Sequence, residues 1–398
     1  MGLFFGRSAD TIVYLIMAFV QWRIGRSILA WTVASGRLPV NAVRRVLIAC
    51  GVVLVCGMLI SYHIVAAWVP LDYRFAGSLR AFVFIWGCGS TGGWIIYRLL
   101  RLAKIWPEKT SPDSVNATNP TRRRWIFAAG SAAIVSPFAV MGWGTFLERT
   151  DFRIREVDVP VAGLPDDLAG LRLVQISDIH LSAFLSPAEF ARVVDAANEL
   201  RPHVTLVTGD LISMRGDPLD ACLDQLARLR ADAGVLGCLG NHEVYTGAED
   251  YVTLQGARQG ILFLRSRTRQ LRFGNATLNI GGVDYQRMSP SRKYLRGAEQ
   301  MLLPGAVNLL LSHNPDVFPV AAKQGWDVTL AGHTHGGQVT VEILDRSVNM
   351  ARFFTPFVYG SYRSGRSSIY VTRGIGTIAM PTRIGAPPET ALLRLRKA

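Results

Sequence analysis

Before residue 150 the chain carries four apolar runs, and no other feature narrows its fold so far. They lie near 3–22, at Val46–Val69, near Leu79–Leu100 and at Trp125–Leu147. Each is long enough to cross a hydrocarbon layer of about 30 Å. Lipid offers no partner to an open backbone group, so such runs can span only as helices. The first is the weakest, because Arg7, Asp10, Arg23 and Arg26 interrupt or flank it, and its window shifts easily into the 30s. Arg80 and Arg98 sit near the ends of the third, where long side chains reach the interface. His63, inside the second, reads as a packing residue. The expectation is an all-α transmembrane region of about four helices over 1–149, and a separate catalytic domain over 150–398.

Charge follows the same division. Residues 1–149 hold 16 Lys and Arg against 5 Asp and Glu, and the remainder holds 27 against 24. The net charge of +14 is therefore mainly juxtamembrane, and a nucleic-acid partner is not expected. Residues 23–45 carry five Arg and no acid, and 98–124 carry seven Lys and Arg. Basic loops stay cytoplasmic, so 150–398 is expected on the outer side of a bacterial-type cell membrane. Arg122-Arg123-Arg124 ahead of an Ala/Gly-rich run also resembles a twin-arginine signal, though its internal position suits ordinary helix topology as well. The stretch 107–121, rich in Pro, Ser, Thr and Asn, reads as a loop. Five cysteines without a CxxC pair exclude a zinc knuckle or thioredoxin-like motif.

After Thr150 short β-rich runs alternate with helical patterns, which indicates an α/β class with strands buried on both faces. Strands are expected at Leu171–Ser177, Val204–Thr208, Gly234–Leu239, Leu278–Val283, Val307–Leu311, Val328–Ala331 and Ser368–Thr372, and a helix at Pro187–Leu200. Just past five of the strands come Asp178-Ile179-His180, Gly209-Asp210, Gly240-Asn241-His242-Glu243, Ser312-His313 and Gly332-His333-Thr334-His335-Gly336, holding five of the seven histidines. Ligands at strand ends converge on one sheet edge. Asp178 and His180, like His333 and His335, are spaced i and i+2 and can face one side of an extended backbone. Nitrogen and hard oxygen without thiolate suit Mn²⁺, Fe²⁺ or Zn²⁺. A lone Asp between blocks is the natural bridge between two cations, which together can clamp a phosphate and hold a hydroxide nucleophile.

These blocks, in this order, resemble the calcineurin-like metallophosphoesterase superfamily over about residues 170–340. The tail from Thr372-Arg373-Gly374-Ile375-Gly376 to Arg383 and Pro387-Pro388-Glu389 resembles its YkuE/YaeI-like bacterial branch, and the preceding helices are similar to those of an animal transmembrane relative. The resemblance implies a β-sandwich flanked by helices. It implies a first divalent metal ion on Asp178, His180, Asp210 and His335, and a second on Asp210, Asn241, His313 and His333. It makes His242 a phosphate contact and general acid. Asn241 joins it at the substrate, and Gln338 is a further candidate contact. Phosphoprotein phosphatases of the superfamily carry Asp-Arg where this chain has Ser213-Met214, so the partner that orients His242 is left open, with Arg215 nearby. Glu243 reads equally as a loop-orienting acid or a solvent-facing one, and His203 as a structural histidine.

The function expected is a membrane-anchored dinuclear phosphoesterase acting on a phosphorylated small-molecule or lipid-linked substrate, a phosphodiester favoured. The alternatives are a UDP-2,3-diacylglucosamine-type pyrophosphatase or a nuclease, with a metal-stabilised scaffold last. Arg352-Phe353-Phe354, Phe357 and Tyr359 read as a lipid-facing lip, a lid or packed core.

Overall fold

The computed structural model describes residues 2–61, 73–105, 120–287, 293–343 and 346–398. His63, the end of the second expected span and nearly all of the 107–121 loop lie outside the described residues. The chain divides into two compact units, Met1–Thr145 and Phe146–Ala398.

The first unit consists of helices α1 Gly2–Ser35, α2 Val40–Ser61, α3 Tyr73–Leu102 and α4 Pro120–Phe146. Four stretches are long and apolar enough to cross a membrane: Ile12–Ser35, Val40–Leu59, Gly77–Leu102 and Arg124–Thr150. The first runs from Ile12 into the 30s, the shifted window the sequence allowed. It takes in Arg23 and Arg26, and the Arg26 guanidinium lies 5.2 Å from the Trp22 ring centroid. Outward faces carry Leu15, Phe19, Val46, Val52, Phe127 and Trp143, side chains that suit lipid and not water. Where helices cross, small residues let them close. A Cβ at Gly87 would fall 2.6 Å from the Met17 sulfur, and one at Gly89 would fall 2.5 Å from the Phe138 ring. Trp86 Nε1 donates to Gln21 Oε1 at 3.0 Å, a polar tie between α3 and α1.

The second unit has fourteen strands among the described residues. They are β1 Arg153–Val161, β2 Arg172–Ile176, β3 Val204–Thr208, β4 Val235–Cys238, β5 Ile261–Phe263, β6 Arg267–Phe273, β7 Ala276–Gly282, β8 Val307–Leu311, β9 Val328–Ala331, β10 Thr340–Ile343, β11 Arg346–Asn349, β12 Gly360–Ser364, β13 Ser367–Val371 and β14 Glu389–Lys397. Two six-stranded sheets run β1-β14-β2-β3-β4-β5 and β12-β13-β9-β8-β7-β6, and β10 with β11 forms a separate hairpin. β2 to β5 are mutually parallel, as are β7, β8, β9 and β13.

Alternation along the central strands sorts side chains into layers. Leu173, Leu206, Leu236, Leu278, Leu309 and Leu330 fill the space between the sheets. Val174, Ile176 and Val207 face the other way, onto α5 Pro187–Glu199, α6 Leu219–Leu226 and α8 Glu249–Arg258 through Phe190, Val194, Leu223 and Val252. Leu310 packs outward on Val317, Ala321 and Trp326. Strands covered on both faces read as near-continuous apolar runs, which is how they stand in the sequence. α5 starts where Ser186 and Glu189 form a reciprocal cap with Pro187 in the first turn. The result is a helix-flanked sandwich whose two sheets present their carboxyl edges to one place.

Candidate metal centre

Each block follows a strand end directly. β2 delivers Asp178 and His180, β3 delivers Asp210, β4 delivers Asn241 and His242, β8 delivers His313, and β9 delivers His333 and His335. Asn241 and His242 begin the short helix α7 Asn241–Thr246. Cross-links lock the edges together. Gln175 Nε2 donates to Ala331 O and to Thr208 Oγ1, both at 3.0 Å, tying the first sheet to the second. Asp178 N donates to Gly209 O, and His180 N to Asp210 O, each at 3.0 Å.

All the expected ligand residues meet here. Asp178, His180, Asp210, Asn241, His313 and His335 are buried. The Asp210 Oδ2 atom lies 3.5 Å from His180 Nε2 and 3.0 Å from His313 Nε2. Asp178 Oδ1 is 3.4 Å from His335 Nε2. His333 Nδ1 is 3.2 Å from His313 Nε2. Two groups of ligand atoms gather within 4.8 Å, one from Asp178, His180 and His335 and one from Asp210, His313 and His333; Asp210 also clusters with His180 and His242. Asp210 thus comes within ligand reach of His180 in the one set and of His313 and His333 in the other.

The donor set fits divalent cations. His180 Nε2, His335 Nε2 and Asn241 Oδ1 are buried without a hydrogen-bond partner, a costly state unless something binds them. His313 Nδ1 donates to Thr208 O at 2.7 Å, which turns Nε2 toward Asp210. Asp178, His180, Asp210, His333 and His335 all take positive φ, between 46° and 75°. Five non-glycine residues in that sparsely populated region show backbone strain concentrated at the site.

Electrostatics agree. Burial alone would favour neutral Asp210, but His313 and then His242 outweigh it and hold the carboxyl well below the usual range. Burial opposes protonation of His313, yet the carboxylates of Asp210 and Asp178 raise its pKa to about 10. Without a metal the site thus keeps a proton where a cation would sit. Burial, then neighbouring His313, brings His333 down to about 3. Burial also lowers His180 and His335. Those three imidazoles are neutral, as ligands must be.

Several supporting residues were not legible as such in the sequence. Glu243 is fully buried; its carboxylate accepts from Asp210 N at 3.0 Å, Leu211 N at 2.7 Å and Gly240 N at 2.7 Å. Of its two sequence readings, the loop-orienting one holds. The signal was its place at the third residue of a helix capped by Gly240, from which a Glu reaches back to the cap N–H. The open question of the His242 partner is answered by main chain: His242 Nδ1 donates to Ser213 O at 2.5 Å. The Ser213 hydroxyl meets His180 Nδ1 at 3.0 Å, and Asp217 Oδ2 holds the turn by accepting from Ser213 N and Met214 N. Arg215 reaches away, to Thr246 O at 3.2 Å. Tyr245 packs on His242, and Tyr285 on His313 and His333.

The C-terminal tail closes the site from beneath. Gly374 has φ 67°, and a Cβ there would lie 2.5 Å from that of Asp178. Arg383, fully buried, donates to the carbonyls of Gly376 at 3.0 Å, Ala386 at 2.8 Å and Arg373 at 2.9 Å. Gln338, expected as a substrate contact, is placed otherwise. Its Nε2 donates to Ile378 O and Met380 O and its Oε1 accepts from Ile378 N, so its amide braces the tail. His203 is structural: its Nδ1 accepts from Arg172 N at 2.9 Å.

A calcineurin-like phosphoesterase family model matches residues 171–337. The transmembrane protein with metallophosphoesterase domain of Danio rerio is 28% identical over 332 residues, covering 80% of this chain and 71% of that protein. The uncharacterized metallophosphoesterase YkuE of Bacillus subtilis is 26% identical over 291 residues, covering 69% of this chain and 98% of that one. The phosphodiesterase YaeI of Escherichia coli is 27% identical over 285 residues, with 69% and 99% covered.

Proposed function

Because the chain carries a calcineurin-like metallophosphoesterase domain and is a metal-dependent phosphoester hydrolase, we propose that it cleaves a phosphodiester at a membrane, using seven ligand residues and His242. The observation that carries this reading is the convergence of unpartnered, buried ligand atoms around the Asp210 carboxylate. Asp178, His180, Asp210 and His335 would hold one cation, and Asp210, Asn241, His313 and His333 the other. Two such cations would offset the negative charge of the phosphate and supply an acidified water as nucleophile.

The protein's own groups do the rest. The Thr208 carbonyl fixes the His313 ring by taking its Nδ1 proton. The Ser213 carbonyl does the same for His242, so that Nε2 points at the opening. As an imidazolium, His242 keeps Nδ1–H on Ser213 and gives its Nε2 proton to the departing oxygen as the P–O bond breaks. Glu243 keeps the Asp210 and Asn241 loops in register through three backbone N–H groups. Tyr245 and Tyr285 offer aromatic faces to the leaving group.

The four apolar helices, each long enough to cross a membrane, support a membrane location for this chemistry. Arg37 between the first two apolar helices, Arg44 and Arg45 near the start of the second, and the basic 98–124 stretch support a cytoplasmic location for those segments and an extracytoplasmic catalytic unit. A C-terminal reporter active only in the cytoplasm would refute that orientation. The chemistry is tested with full-length protein in detergent, Mn²⁺ and bis-p-nitrophenyl phosphate. His242→Ala should retain its metal and lose about 10²–10⁴ in rate. Asp210→Asn should lose activity and retain at most one ion. Equal rates for all three proteins would remove the hydrolase reading, and a metal-free His242→Ala protein would reassign His242 as a ligand.

A further inference from the structure

The β10–β11 hairpin is built inside out for a water-exposed element. Its described inward pair is polar and covered. Thr340 and Asn349, cross-strand partners, are 2% and 4% exposed. Thr340 Oγ1 donates to Gly336 O at 2.7 Å, and Asn349 packs where a Cβ on Gly337 would stand. Its outer face carries the next cross-strand pair, Val341 and Val348, at 48% and 57% exposed. The chain leaves the hairpin into a short turn, Met350–Phe353, and there Met350, Phe353 and Phe354 are 65%, 78% and 69% exposed. A two-stranded element with one solvated face normally alternates apolar-in, polar-out. Five large apolar side chains turned outward within fourteen residues mark an interaction surface.

We propose that this hairpin and turn form a bilayer-contacting lip beside the catalytic site, with Phe353 and Phe354 seated at the lipid interface. Three observations choose lipid over a protein partner. The apolar window of the last candidate span ends at Thr150 and β1 begins at Arg153, so only Asp151 and Phe152 lie between them along the chain. Two residues reach no more than about 7 Å, which holds a bilayer permanently within range of the unit, whereas a second copy must be met by diffusion. The exposed set joins two phenylalanines, a methionine and an exposed Arg352, the mixture that rests at a headgroup boundary. The lip also follows directly from the turn that bears His333 and His335, so its burial would hold the site against the headgroup layer. This deepens the proposed function by naming the substrate class: a phosphoester presented by a lipid.

The test uses the full chain in vesicles of phosphatidylethanolamine and phosphatidylglycerol. A photoreactive benzoylphenylalanine replaces Phe353 in one protein and, as a control, the exposed Leu254 in another. Illumination followed by mass analysis should give a lipid adduct at 353 at least about tenfold above that at 254. Equal yields, adducts only to a second copy of the chain, or no lipid adduct at 353 would overturn the lip. Hydrolysis of bis-p-nitrophenyl phosphate by the same vesicles keeps the two readings apart. Activity without a lipid adduct sinks the lip alone, and an adduct without activity sinks the hydrolase reading alone.

Discussion

Replacing Glu243 by glutamine changes one atom of a residue that touches no substrate, yet it should loosen the whole centre. The carboxylate takes three backbone N–H groups, Asp210 and Gly240 on Oε2 and Leu211 on Oε1, in full burial. An amide has one acceptor oxygen. If that oxygen keeps the pair from Asp210 and Gly240, its NH₂ faces Leu211 N–H, donor against donor. A hydrogen bond to a charged group contributes about 1.5–3 kcal/mol, and a buried N–H left without an acceptor costs about 1–3 kcal/mol. Removing a negative charge from beside Asp210 offsets part of the sum, which leaves a net loss of about 2–4 kcal/mol. For a unit of this size the melting midpoint should fall by about 5–15 °C. The assay is thermal unfolding of the full chain in detergent by circular dichroism, with bound metal counted in parallel. A Glu243→Gln protein with unchanged midpoint and metal content would refute the bracing role.

Other outcomes follow from the same geometry. Gly374→Ala places a Cβ against Asp178 in a left-handed backbone position, so activity and bound metal should fall together by about tenfold or more, whereas Gly365→Ala, equally left-handed but in open space at the β12–β13 turn, should show neither loss at the site. The metal-free protein should lose stability as pH rises from about 7 to 9. The folded pKa of His313 is raised from 6.5 to about 10, so its contribution is full below 6.5 and disappears as pH climbs through 10. The slope is at most about 1.4 kcal/mol per pH unit, and it should vanish in the metal-loaded protein, because the ion displaces that proton. Unfolding midpoints measured at both pH values, with and without Mn²⁺, check it. A metal-free protein equally stable at both would contradict the charge assignment.

Much of the catalytic unit could be read along the chain. β3, β8 and β9 occupy the expected residues, because strands buried on both faces leave uninterrupted apolar runs ended by glycine or serine. The ligand blocks stood out because each couples a strand end to a residue type with few other uses there. What stayed hidden depends on distant partners. β14 inserts between β1 and β2, a pairing across more than two hundred residues that no local pattern announces. Glu243 looked ordinary beside His242 because its purpose is visible only when the Asp210 loop comes back to meet it. The His242 partner is a backbone carbonyl, and side-chain patterns carry no trace of one. Gln338 looked like a ligand-facing amide because the 378–380 segment that consumes it lies forty residues on. At the other end, Arg23 and Arg26 made the first apolar window look weak, and a helix can carry an arginine stacked on its own tryptophan.

Counting the ions tests the central claim most directly. Full-length protein, exchanged into metal-free buffer at neutral pH after loading with Mn²⁺, should retain two ions per chain by inductively coupled plasma mass spectrometry, and Asp210→Asn should retain at most one. A wild-type chain that holds none, or an Asp210→Asn chain that still holds two, would contradict a paired centre bridged by that carboxylate.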